Sequence, residues 1–516
     1  MSGHVGDVWD TPEFSNRVGL KAVDGGLCTM AYALYGVVIA LLACVVLVLV
    51  RAAVHRPKEN MAGRELSQSC EAGVADSVNT ERAVKSLSDA IQVRTVSFAD
   101  RSHMDTVEFD RFHALLDSSF PLVRDRLTKK VLGYNLVYLW KGAGGGQKPI
   151  ALMSHMDVVP ADDEGWEHPP FSGAVADGFV WGRGALDIKF GLITILEAIE
   201  ELLEVGFVPS RDVYVVSTCD EEVGNNGGIT EVMGFLKRSG VDLEWVLDEG
   251  GVVGEGMMAG FDRLLALVGV AEKGYLDVEL SVEMTGGHSS SPGRATSVGL
   301  LSRAIAKVEA RQMPTRMGSP VREFFNQVSR YMGFGKRLVF ANMPLFQPLI
   351  TAVLLGTPET ASMIRTTTAP TMISGGVKPN VLAPRASAVI NCRLLPGDTA
   401  HDVVDHINRV VADDRVKVRI LSQSPASRVS SVGTEGFTLI SSCIAAHYPG
   451  AVVAPYLVMG ATDSKGLEPI AEGVYRFVPV QITKKDLARM HGVNERVSIE
   501  NIEKAVRFFR SVVVRA

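Results

Sequence analysis

Cysteine is scarce in this chain: six copies among 516 residues, with no CxxC pair. That density excludes a disulfide-stapled scaffold and leaves the redox compartment open, so the thiols read as inert. An excess of basic residues is also missing. The formal net charge is -6, which offers no electrostatic footprint for nucleic acid. No N-x-S/T sequon occurs anywhere. Core-forming residues, by contrast, are plentiful. At 47% hydrophobic, with 5 Trp and 20 Phe, the chain can bury a large interior divided into two or more domains.

Charge is locally absent in one place that matters. Residues 31–50, AYALYGVVIALLACVVLVLV, hold no charged side chain. A helix of about 20 residues crosses a hydrocarbon core of about 30 Å. A cleaved signal peptide has a shorter apolar core and a small-residue cleavage site, and neither fits here. The expectation is an uncleaved signal anchor, contacting the membrane through 31–50 and preceded by a tail over 1–30. Arg51, Arg56, Lys58 and Arg64 follow the span, whereas Arg17 and Lys21 precede it. By the positive-inside rule this places the folded part in the cytosol.

Residues 51–80 are polar and read as a linker. From 81 onward, short apolar runs alternate with amphipathic helical patterns, the texture of an α/β fold. Lys148–Ser154 reads as a strand ending on His155. Val213–Cys219 reads as another, ending on Asp220-Glu221-Glu222, and Glu244–Leu247 as a third, ending on Asp248. Asp187 precedes a helical stripe of Leu192, Ile195, Leu196, Ile199, Leu202 and Leu203. Ligands of open α/β sheets bind beyond the carboxyl ends of strands, which gathers these acids on one rim. After 270 the pattern turns to period two, as in Tyr275–Met284 and Ala386–Leu394. This predicts a catalytic domain in two parts, 81–270 and 429–516, interrupted by an inserted α+β domain over 271–428. Within the insertion, Leu338–Leu355 is strongly apolar and reads as a buried helix pair rather than a hydrophobic surface on the substrate side.

The residue types on the rim suit a pair of zinc ions. Zinc takes His nitrogen and carboxylate oxygen, and catalytic sites keep one position open for water. A bridging carboxylate with one His and one carboxylate per ion makes a two-metal site. The chain supplies that set: Asp187 as bridge, His155 with Asp248, and His491 with Glu222. Glu249 is the alternative to Asp248. Asp157, two residues beyond His155, is placed to orient its ring. Glu221 is left over as a general base for the attacking water. His288, in TGGHSSSPG, has the chemistry to hydrogen-bond an oxyanion. Asn380 and Arg393 have the chemistry to hold a substrate carboxylate. Taken singly, each of these residues is ordinary loop or surface polarity.

Six motifs in order, SHMDVVP, WGRGALDIKFG, CDEEVG, LDEGG, TGGHSSSPG and MHGVNERVS, resemble the dinuclear zinc aminoacylase and carboxypeptidase family. IRTTTAP, GGVKPNVLAP and HGVNE resemble its carboxypeptidase S and N-fatty-acyl-amino-acid synthase/hydrolase branch. The resemblance covers about residues 80–516. It implies a zinc-peptidase-like α/β domain with a mixed central sheet and an inserted lid or dimerisation domain. It also implies two zinc ions per subunit held by His155, Asp187, Glu222, Asp248 and His491. Glu221 matches the catalytic base and Asp157 the orienting acid. His288 matches a histidine that in dimeric relatives reaches the partner's active site, which implies a homodimer through the insertion. Asn380 and Arg393 fall in carboxylate-binding segments. The implied substrate is a peptide or N-acyl amino acid, and the implied location is vacuolar, lysosomal or another endomembrane. That location argues against the charge rule, and the sequence leaves the orientation open. Ala461 stands where relatives carry Gly or Asn.

Overall fold

A computed structural model describes residues 17–57, 77–224, 227–258 and 260–516, and the side chains of 17–28 and 31 are not described. Most of the expected linker, and the tail before residue 17, lie outside these residues. The chain falls into two compact units, Met1–Pro57 with Ser329–Ile350, and Lys58–Val328 with Thr351–Ala516.

The larger unit is organised by a ten-stranded mixed sheet. From edge to edge it runs Thr128–Leu132, Asn135–Trp140, Val213–Ser217, Ile150–Met153, Leu243–Asp248, Ala471–Arg476, Leu265–Glu272, Val253–Glu255 and Gln481–Thr483; Val452–Val458 also pairs with Leu265–Glu272. The central strands Val213–Ser217, Ile150–Met153, Leu243–Asp248 and Ala471–Arg476 are mutually parallel. Every residue of Ile150–Met153 and Val213–Ser217 is buried, as expected of β-branched runs covered on both faces. The carboxyl ends of these four strands therefore open on the same rim.

One covering helix, Lys189–Glu204, is buried from Lys189 to Leu202. The apolar stripe expected from periodicity is present, but the opposite face is enclosed too, because its acids find partners. Glu197 pairs with Arg82. Glu200 accepts from the Leu122 and Val123 amides at 2.9 and 2.8 Å, capping the Pro121–Arg126 helix, and Glu201 takes Arg510 at 2.8 Å. Lys189 is fully buried and donates to the Ala90 and Val93 carbonyls. Burial pushes its ammonium down to about 7.

Residues 274–424 build a second, four-stranded antiparallel sheet in the order Thr367–Gly375, Arg385–Leu394, Gly274–Glu283, Val416–Ser424. Gly274–Glu283 alternates buried with half-buried positions, the period-two pattern read from the sequence. Helices Ser297–Ala310 and Ala400–Val411 cover the buried face, and Leu276, Val278, Leu300, Ile390 and Ile407 form a hydrophobic cluster of their own. Each such side chain contributes about 1.5–3 kcal/mol by leaving water.

In the smaller unit, helix α1 (Arg17–Val54) contains the apolar stretch Tyr32–Val54. The Phe334–Ala341 helix packs on α1. The expectation of a buried pair over 338–355 does not hold: Leu345, Leu349 and Val353 are 63%, 53% and 67% exposed. Periodicity reports which face is apolar, and among the described residues no element covers this one.

Candidate active site

The strand ladder continues past the strand ends. Ser154 N donates to Val216 O and Met156 N to Thr218 O, at 3.1 and 2.8 Å, so His155 projects from the rim beside the Cys219–Glu222 turn. The His155 ring is buried. Its Nε2 lies 3.3 Å from Asp187 Oδ1 and 3.4 Å from Glu249 Oε1. His491 Nε2 lies 2.9 Å from Asp187 Oδ2 and 3.1 Å from Glu222 Oε2. Asp187 thus stands between the two imidazoles with one oxygen toward each. The donor atoms form two overlapping groups, His155–Asp187–Glu249 and Asp187–Glu222–His491, each spanning no more than 4.8 Å.

Asp248, expected beside His155, is turned away and accepts from the Ser464 amide at 3.0 Å. Successive side chains on extended backbone point to opposite sides, so the strand can aim only one of the two acids at His155. Glu249 is the one it aims. After it, Gly250 has φ +113°, and a Cβ on Gly251 would stand 2.0 Å from Leu267 O, so the chain turns there without side chains.

The acids around this cluster act through hydrogen bonds. Asp157 is fully buried; its main-chain oxygen lies 2.9 Å from His155 Nδ1, while its carboxylate is 3.4 Å away. That carboxylate accepts from Ser97 Oγ at 2.6 Å and from the amides of Glu221 and Glu222 at 3.3 and 3.2 Å. Asp157 therefore couples the His155 ring to the turn that presents both glutamates. Asp220 secures the same turn from behind, accepting from Gly228 N and from Arg101.

Sequence reasoning assigned no role to Glu495, although it lies within the quoted HGVNE motif. Its Oε1 accepts from the amides of Gly184, Leu186 and Asp187 at 3.0, 2.7 and 3.0 Å, and its Oε2 from Arg183. Glu495 ties the loop of Asp187 to the loop of His491, where His491 and Asn494 both sit at φ +59°. A histidine held there costs about 1–3 kcal/mol and persists only when its surroundings impose it. Glu495→Gln keeps one acceptor oxygen and turns amide hydrogens toward either the three backbone amides or Arg183. It is expected to weaken metal retention about 10–100-fold, read by equilibrium dialysis, with the fold intact by circular dichroism.

Among the described residues, no hydrogen bond or ion pair joins this cluster to His288, Asn380 or Arg393. His288 is exposed on a two-stranded ribbon, Gly287–His288 with Val381–Leu382, and Asn380 O accepts from Ser289 N beside it. Arg393 lies over the Tyr275 ring, 4.9 Å from its centroid.

The cluster is acid-rich and poor in cations. Burial pushes Glu249 up to about 7 and Asp463 up to about 8, with neighbouring acids adding and His155 opposing. Burial likewise holds the Glu221 carboxyl well above its usual range. His491 is pushed up to about 10 by its hydrogen bonds to Asp187 and Glu222. Burial works against protonation of His155, but Glu249, Asp157 and Asp187 outweigh it. His155 Nε2 and Asp463 Oδ2 are buried without a hydrogen-bond partner. An imidazole nitrogen left open toward carboxylates, inside a ring of acids, fits divalent cations. One His and two carboxylates face each position.

Residues 151–515 match the profile of Peptidase family M20/M25/M40. The chain is 38% identical over 435 residues to a probable carboxypeptidase S-like 2 of Dictyostelium discoideum, covering 83% of each chain. It is 36% identical over 486 residues to the N-fatty-acyl-amino acid synthase/hydrolase PM20D1.1 of Danio rerio, covering 92% of this chain and 94% of that one. Among solved structures, an M20 family metallo-carboxypeptidase of Sulfolobus solfataricus shares the fold at a TM-score of 0.61 and 16% identity, covering 84% of this chain and 98% of that one. A dinuclear metal binding M20 peptidase of Bacillus subtilis, YXEP, does so at 0.54 and 13%, covering 84% and 98%.

Proposed function

Because the chain belongs to the M20/M25/M40 metallopeptidases, we propose that it is a membrane-anchored dinuclear zinc hydrolase that cuts an amide bond to release an amino acid. The observation carrying this reading is Asp187, poised between His155 with Glu249 on one side and Glu222 with His491 on the other. These residues would hold two zinc ions, with Asp187 as bridge. Such ions, when bound, polarise a carbonyl and lower the pKa of water.

The protein's own part is positioning and proton movement. Asp157 holds the His155 ring and, through two amides, the turn presenting Glu221. The Glu221 carboxylate accepts a proton from the attacking water and returns it to the leaving nitrogen as the amide breaks. The raised affinity of Glu221 for a proton suits a group that must hold one briefly.

In this reading the substrate is a C-terminal peptide or an N-acyl amino acid, and synthesis is the same path reversed. The relatives named for carboxypeptidase and for N-fatty-acyl-amino acid chemistry support both. His288, Asn380 and Arg393 would act on the oxyanion and the substrate carboxylate across a homodimer. The outer strands of the second sheet support such a pairing, since Met372, Ile373, Ile420 and Leu421 are exposed on them. The exposed apolar surface of α1 supports anchoring.

The test is a panel of blocked dipeptides and N-acyl amino acids, with and without chelator. Amino acid release that stops on chelation and returns with zinc is expected. No chelator-sensitive release from any member would remove the assignment.

A further inference from the structure

The apolar element beside α1 takes no part in the metal-ligand cluster. Helices Phe334–Ala341 and Met343–Leu354 are separated by Asn342 alone, where the axis turns by 114°. Met343–Leu354 has no charged residue. Leu345, Leu349 and Val353 recur every fourth position, forming one exposed stripe. Among the described residues nothing covers this stripe, and a contiguous exposed apolar surface marks a site that meets something apolar.

The bond between this element and α1 measures its depth. Asn342 is buried, and its Nδ2 donates to Val48 O at 3.1 Å and to Leu338 O at 2.9 Å. His55, just beyond the apolar stretch, lies 2.9 Å from Ser329 Oγ through its Nε2. Val48 lies three residues before Arg51, the first charged side chain after the uncharged run. At about 1.5 Å per residue, the Asn342 turn sits about 4.5 Å inside that charge. That is close to the shallow end of the range over which interfacial helices bury their apolar faces, about 5–10 Å into the headgroup and acyl boundary. The polar boundary is marked from both sides: Lys336 is exposed near the start of the element, and Arg51 and Arg56 are exposed near the end of α1.

We propose that residues 334–354 form a second membrane contact, a bent helical element dipping into the leaflet reached by the C-terminal end of α1, with the Leu345–Leu349–Val353 stripe among the acyl chains. This rests on α1 being a span. Its occupant is lipid, because the element is hydrogen-bonded to α1 within the apolar stretch, where lipid surrounds whatever protein does not cover. Asn342 is suited to the turn, since its Nδ2 satisfies one carbonyl of α1 and one of its own helix at the break.

The full-length protein in nanodiscs of phosphatidylcholine and phosphatidylserine, doped with a phosphatidylcholine bearing an acyl-chain diazirine, provides the test. After illumination, labelled peptides are mapped by mass spectrometry. Label is expected on 32–50 and on 343–354, and not around Val107, an equally exposed valine at 69% on a helix of the other unit. Label on 32–50 without 343–354 overturns the second contact while the span stands. Absence from 32–50 overturns both. Label at Val107 equal to that at 343–354 overturns it as nonspecific apolar capture, and crosslinks between two copies through 343–354 overturn lipid as the occupant. The double variant Leu345→Asp, Leu349→Asp is expected to lower labelling of 343–354 roughly tenfold with 32–50 unchanged, because carboxylates resist entry into acyl chains. Unchanged labelling overturns the proposal.

Discussion

Glu221→Gln is expected to lower kcat about 10²–10⁴-fold, the usual contribution of a positioned general base, while leaving the metal content unchanged. The separation of the two readouts follows from the geometry. Glu221 belongs to neither donor group, whereas its neighbour Glu222 belongs to one. The exchange is nearly isosteric, and the Glu221 amide keeps its bond to Asp157. The turn therefore survives, and what disappears is the carboxylate proposed to accept the proton. Glutamine cannot perform that transfer at any pH. Turnover within a few fold of wild type would assign the base elsewhere. Asp463 is then the next buried acid to examine, its carboxyl pushed up to about 8, chiefly by burial. Loss of metal together with activity would make Glu221 a ligand instead.

The contrast between Glu221 and Glu222 shows what could be read from residue order. Runs such as KPIALMS and VYVVSTC announced their strands, and the acids that follow them fell on one rim because the strands are parallel neighbours. Asp187 was legible for a similar reason, standing just before a long apolar stripe. The choice between Asp248 and Glu249 was not, because it turns on which side of the strand faces His155, and adjacent acids carry no such label. Glu495 was missed because its work is done on backbone amides of residues 184–187, a contact made by closure of the fold over some 300 positions. The stretch 338–355 was expected to be buried and is partly exposed, because composition reports apolarity alike for a core and for a surface.

Asp187→Asn is expected to affect both metal positions, since Asp187 belongs to both donor groups at once. The asparagine keeps the shape and the hydrogen bond its backbone N–H donates to Glu495, but removes the charge the two groups share. Both ions should be lost or bound far more weakly, and with them several kcal/mol of transition-state stabilisation. At about 1.36 kcal/mol per tenfold, that is a fall of roughly 10³-fold in kcat/KM. A proton readout checks the same change without substrate. In the metal-free chain His491 is pushed up to about 10 by Asp187 and Glu222, so it carries a proton at neutral pH. Metal uptake must displace that proton, so wild-type affinity falls as pH falls below 10. In Asp187→Asn one of the two stabilising carboxylates is gone, the His491 pKa drops toward its ordinary value, and fewer protons are released per ion bound at neutral pH. Isothermal titration with zinc in buffers of different ionisation enthalpy measures that number. A variant that binds two ions and releases as many protons as wild type would show that Asp187 bridges nothing.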